Sequence, residues 1–146
     1  MRRFVTLVLA LSVSLGGSAL LADKAKTPDD LDKAMKRIST AQTATNKAIQ
    51  AKAFAEAKKQ AKQVDEALED AHNFWVINKK DDAIKMNTEA RAKVAALDKA
   101  LSAATPDEAA VTAAFREVGA SCGGCHRAYR VADENSNFIL KPGTIK

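Results

Sequence analysis

Cysteine is nearly missing from this chain: its 146 residues include two. No disulfide framework can therefore support the fold. Histidine is equally scarce, at two. A four-ligand zinc site around Cys122, Cys125 and His126 needs one more Cys or His, and only His72 remains. Long apolar runs are also lacking. The one candidate, Phe4 to Leu15, is interrupted by Thr6, Ser12 and Ser14 and is short for a membrane span. β-Branched runs are few and no strand pattern is found, which excludes a sheet-based reading. No acid–base pair or nucleophile constellation is present, so the chain does not read as an enzyme.

The N-terminus reads as a secretory signal. Arg2 and Arg3 form a basic start, the apolar run follows, and small residues lead to cleavage after Ala19 or Ala22. Residues 1–22 are therefore expected to be removed on export, with no membrane association afterwards. Residues 23–146 suffice for one domain with one core. The formal charge of +5 falls to +3 once Arg2 and Arg3 leave. That balance gives no support for nucleic-acid binding, despite a pI near 9.3.

What the sequence does have is helix composition: alanine, lysine, glutamate and aspartate dominate. Four helices are expected. The first opens at Thr27-Pro28-Asp29-Asp30, where Thr27 caps free amides, Pro28 suits the first helical position and the aspartates suit the positive end of the dipole. Its apolar stripe is Leu31, Met35, Ile38, Thr45 and Ile49, interrupted by Gln42. The second runs from about Ala53 to Trp75 with a heptad-like seam from Phe54 to Trp75. The third runs from about Asp81 to Ala103. The fourth opens at Thr105-Pro106-Asp107-Glu108, the same start signal as the first, and carries Val111, Phe115, Val118, Cys122, Cys125 and Tyr129 on one side. Gly119 falls on that side, where a residue without Cβ would let a flat ring or a neighbouring helix come close. Short connections make an antiparallel, up-down-up-down four-helix bundle, an all-α fold. From Ala132 onward the pattern breaks into a C-terminal extension, 132–146, with a loop at Asn135-Ser136-Asn137 and a turn at Pro142-Gly143.

Cys122-Gly123-Gly124-Cys125-His126 is the most informative stretch. A C-x-x-C-H run in an exported protein is the attachment site of a c-type haem. Both thiols add across haem vinyl groups, and the histidine ligates iron. On a helix Cys122 and His126 are one turn apart on one face, with Cys125 beside them. One covalent haem c per chain is expected, bound near the end of the last helix and attached by the c-type haem maturation machinery. A thiol–disulfide protein is the reading without haem, but its motif expects a strand before its helix. Two propionates would bring the mature charge to about +1.

A bundle whose last helix ends in this motif resembles class II cytochrome c, the cytochrome c-prime family. The run Phe115 to Arg130 is very similar to that family's closing helix, and the resemblance covers roughly Thr27 to Arg130. It implies His126 as the proximal iron ligand. Asp30-Leu31-Asp32-Lys33-Ala34-Met35 also resembles the first helix of the related b-type bundle cytochromes, where an early methionine is the sixth ligand. The family divides at that position. Cytochromes c-prime proper are five-coordinate and admit nitric oxide or carbon monoxide, whereas a low-spin branch uses a first-helix methionine and carries electrons. Many high-spin members have an arginine one turn before the distal residue; here that position is Leu31. Met35 is therefore expected as the distal ligand of a periplasmic, monohaem electron carrier with an unidentified redox partner. The gas-binding protein is the alternative.

The remaining candidates are weighed against plainer roles. Met86 on the third helix is a competing sulfur but is read as filler. His72 lies one residue off the seam and is read as solvent-facing. Arg130, one turn past His126, is a candidate for a haem propionate or for the carbonyls ending its helix. Arg127 resembles a basic neighbour of the histidine in gas-binding relatives. Many relatives form homodimers through their first two helices, but no interface is legible in this sequence.

Overall fold

The computed structural model describes residues 25–135 and 137–145. The expected leader, residues 1–22, lies outside the described residues. Four helices follow one another: α1 Pro28–Gln50, α2 Phe54–Ile77, α3 Asp81–Leu101 and α4 Glu108–Tyr129. Two short strands, β1 Arg130–Ala132 and β2 Phe138–Leu140, complete the chain.

Local chemistry sets the helix boundaries. Thr27 Oγ1 accepts from the Asp30 amide at 3.2 Å, and the Asp30 carboxylate accepts from the Thr27 amide at 3.0 Å. This reciprocal capping box, with Pro28 in the first turn, starts α1 as its sequence signal predicts. The α4 signal is displaced. Its cap is Asp107, whose carboxylate accepts from the Ala110 amide at 2.7 Å, so the helix begins after Thr105 and Pro106 rather than at them. The turns after α1 and α2 are built alike. Lys52 and Lys79 take left-handed backbone conformations, with φ of 56° and 53°. Around them the amides of Ala53 and Lys80 reach back to the carbonyls of Ala48 and Trp75. Each helix thus ends in a Schellman motif with lysine where glycine is usual.

The expected seams form the core. Ala57, Ala61, Val64, Leu68, Ala71 and Trp75 are buried on α2, as are Ala90, Val94, Leu97 and Leu101 on α3. Helix α2 packs on both α1 and α3, and α3 also packs on α4, whereas α1 and α4 meet only sparsely. The buried face of α2 is correspondingly broad, and that of α4 narrows to Val111 and Val118. Ion pairs tie successive helices together: Arg37 to the buried Asp70 at 2.6 Å, Arg91 to Asp65 at 2.8 Å and Lys93 to Glu117 at 3.1 Å. A second cluster closes one end of the bundle, where Leu31, Ala34, Phe74, Trp75 and Ala83 pack together.

That end also receives the C-terminal extension. β1 and β2 pair antiparallel, with Val131 opposite Ile139 and Arg130 opposite Leu140. Leu140 and Ile145 pack on the second cluster. The strands were not expected; three residues each are too few to show a period, and tertiary contact decides their state. The tip forms because Asp133 accepts from the amides of Asn135 and Asn137 at 2.9 and 2.8 Å. Gly143 has φ of 76° in the expected final turn.

Candidate haem-attachment site

Helix α4 runs unbroken through Cys122-Gly123-Gly124-Cys125-His126, all five residues half-buried. The side of α4 that carries the motif faces two neighbours. Toward α1, the Gln42 side-chain amide lies 3.7 Å from Cys122 Sγ. Toward the closed end of the bundle, Cys125 and Tyr129 pack on the second cluster. Behind the motif stands α3: a Cβ placed on Gly124 would meet Met86 Sδ at 3.5 Å, and one on Gly123 would meet the Arg127 guanidinium at 3.2 Å. The first is ordinary contact and the second involves the flexible end of Arg127 on α4 itself, so crowding does not require glycine at either position. Gly119 is exposed with no neighbour within 4 Å of a Cβ, so no adjoining helix requires glycine there either.

The electrostatics suit neutral donors. Burial first, then the neighbouring charges of Cys122 and Asp82, push the Cys125 thiol up to about 11. Burial and the Arg130 charge lower His126 below its usual value, which favours neutral imidazole with a free lone pair. Both cysteines are free thiols. Two thiols and an imidazole on one side of one helix match the donor set of covalent haem. A redox dithiol would expect a strand entering its helix, and α4 is entered instead from the segment 102–107. Among the described residues, no three His, Cys, Asp or Glu side chains gather as a metal site.

The end of α4 is well anchored. The Tyr129 hydroxyl donates to Asp82 on α3, and its ring lies 4.9 Å from that of the buried Trp75 on α2. Burial, followed by the Asp82 carboxylate, pushes the Tyr129 hydroxyl up to about 12. The Lys141 ammonium donates to the Arg127 carbonyl at 2.7 Å and its amide to the Tyr129 carbonyl at 2.8 Å. The turn carrying His126 is thus held from α2, α3 and the tail.

The expected site residues fare differently. Met35 is half-buried on α1 and packs against both core clusters, including the one that holds Cys125. Met86 is half-buried and meets the motif from behind, through Gly124. Arg130 is exposed, and its guanidinium stacks 3.9 Å above the Phe138 ring, a partner not foreseen beside the propionate role. His72 departs from its expected solvent-facing position. It is half-buried, and its Nδ1 is fully buried with no hydrogen-bond partner among the described residues. The broad packing of α2 between two neighbours covers the shoulder on which it stands. Sequence reasoning missed Gln42 as a neighbour of Cys122. The available signal was a polar residue interrupting an apolar stripe.

The family model Cytochrome C' matches residues 18–130, ending where β1 begins. No curated protein and no solved structure matches the chain.

Proposed function

Since the chain belongs to the cytochrome C' family, whose members bind haem c covalently through a cysteine pair, we propose that it is an exported, periplasmic electron carrier whose haem is held by His126 and Met35. Cys122 and Cys125 would form the thioethers and His126 would supply the proximal nitrogen. The bound haem supplies one-electron cycling between ferric and ferrous iron. The protein supplies the ligands and the surrounding polarity. The burial and positive charge that lower His126 keep its lone pair available. The Met35 thioether, a soft donor, would favour the ferrous state and raise the potential. Cluster packing around Met35 would limit water entry and the rearrangement that accompanies electron exchange.

One observation carries this reading: Met35 is a half-buried sulfur on α1, packed on the same cluster as Cys125. No helix among the described residues is long and apolar enough to cross a membrane, which agrees with a periplasmic protein. A second reading is supported by the family itself, whose typical members are five-coordinate and bind nitric oxide or carbon monoxide. The visible spectrum of protein matured in the periplasm separates the two. The carrier reading expects a low-spin ferric spectrum and slow or poor carbon monoxide binding by the reduced protein. A high-spin ferric protein that takes up carbon monoxide readily overturns it in favour of gas binding. The haem should also survive denaturing electrophoresis, as two thioethers require.

A further inference from the structure

Gln42 and Thr45 are the polar members of the apolar stripe on α1, and they are used differently. Thr45 is buried, and its hydroxyl donates to the Ala41 carbonyl of its own helix at 2.8 Å. Gln42 is half-buried and reaches across to α4, where its Nε2 lies 3.7 Å from Cys122 Sγ. The larger radius of sulfur makes that a hydrogen-bond distance. Helices α1 and α4 meet only sparsely, and among the described residues this is the one side-chain hydrogen bond between them. An amide set into an apolar stripe is costly unless it finds a partner. Here the partner is one of the two attachment sulfurs.

Covalent attachment changes what that sulfur can do. As a free thiol, Cys122 donates to the Val118 carbonyl at 3.4 Å and accepts from Gln42. Addition across a haem vinyl group bonds the sulfur to one vinyl carbon and moves the thiol proton to the other, with no net oxidation or reduction. The sulfur can then only accept. The Val118 carbonyl still receives the Ser121 hydroxyl at 2.7 Å. Gln42 Nε2 is thus a donor already in place for the acceptor that remains. The arrangement is one-sided, because Cys125 packs on the apolar second cluster.

We propose that Gln42 is a haem-tuning residue whose side-chain amide donates to the thioether sulfur of Cys122. The inference rests on the covalent haem of the family and not on Met35 as the sixth ligand. The sulfur is joined to the porphyrin edge through one carbon. A donor on it draws electron density from the macrocycle and favours ferrous iron. Hydrogen bonding around a haem is one of the levers by which a protein sets its potential.

The test uses holoprotein. Reduced wild-type protein is diamagnetic when low-spin, and carbon monoxide makes it so otherwise. Its proton spectrum should show an Overhauser contact between the Gln42 side-chain amide and the bridging thioether proton at Cys122. Voltammetry then compares two variants of similar size. Gln42→Leu, which has no donor, should lower the potential, raising the ferric-to-ferrous ratio at the wild-type midpoint about threefold. Gln42→Glu should lower it further at neutral pH. In acid it should return toward wild type, as the carboxyl takes up a proton that it can donate. Circular dichroism and the haem spectrum check both folds, and the wild-type Overhauser contact decides the matter if either fold is lost. A missing contact in wild type, or an unchanged potential in Gln42→Leu, would overturn the proposal. Equal shifts in the two variants at every pH would make Gln42 a spacer between helices and overturn it as well.

Discussion

Two sulfurs flank the haem-attachment motif, and substitution distinguishes them. Met35 on α1 packs on the cluster that holds Cys125, whereas Met86 on α3 touches the motif through Gly124. Met35→Ala should convert a low-spin ferric protein to a high-spin or water-ligated one, open to carbon monoxide and lower in potential. Half-burial puts the packing cost near the low end of the usual range for a buried methionine, about 2 kcal/mol before any lost ligand bond. Met86→Ala should leave the spectrum alone. A spectral change in the second variant and not the first would move the ligand to α3. At this scale the motif was legible because its spacing is covalent chemistry written into sequence. Met35 was legible only through likeness to a related helix. The approach of Gln42 to Cys122 was not read and His72 was misplaced, since both depend on which neighbour covers a helix shoulder, and periodicity within one helix does not say.

Elements were legible where a period or a cap announces them. Asp81 opens α3 as expected, and α1 begins at its capping box. The entry to α4 shows the limit: Thr105 and Asp107 are both competent caps, and the choice is made by where the helix must meet Val111 and the core. Removing Asp107 should therefore matter and removing Thr105 should not. Asp107→Ala is expected to cost about 1 kcal/mol in denaturant unfolding, and Thr105→Ala close to nothing. Equal effects would show that the cap is shared. The α2–α3 turn supplies a second test. Lys79 holds φ of 53°, where a Cβ is unfavourable. Lys79→Gly should be stabilising by about 0.5 kcal/mol, the relief of left-handed strain less the entropy that glycine adds to the unfolded chain. The hairpin was unreadable for the opposite reason. Its strands have no period, and they form where Leu140 finds the end of the bundle.

On the scale of the whole molecule, the end that holds the motif is also tied by carboxylates that titrate below their ordinary value. Asp30 is lowered chiefly by the Thr27 hydroxyl and by the amides of Lys26 and Thr27, and Asp82 chiefly by the Tyr129 hydroxyl. Both groups have an ordinary value of 3.8 and a lower one when folded. The unfolded chain therefore takes up protons first as pH falls. The stabilisation is fully present above the unfolded value and is lost as pH drops through the folded values. Thermal midpoints of holoprotein should accordingly change little, as far as these two groups decide it, from neutral pH down to about pH 5, and fall below about pH 4. In Asp30→Asn with Asp82→Asn, the midpoint at neutral pH should be lower and its fall in acid shallower, so that the two curves converge at the acid end. Thioethers keep the haem on the chain in acid, and any acid release of the His126 ligand is common to both proteins, so the difference between the two curves reports these carboxylates. Curves that run parallel through the whole range would show that these two carboxylates do not link the α1 cap and the α3–α4 contact to acid stability.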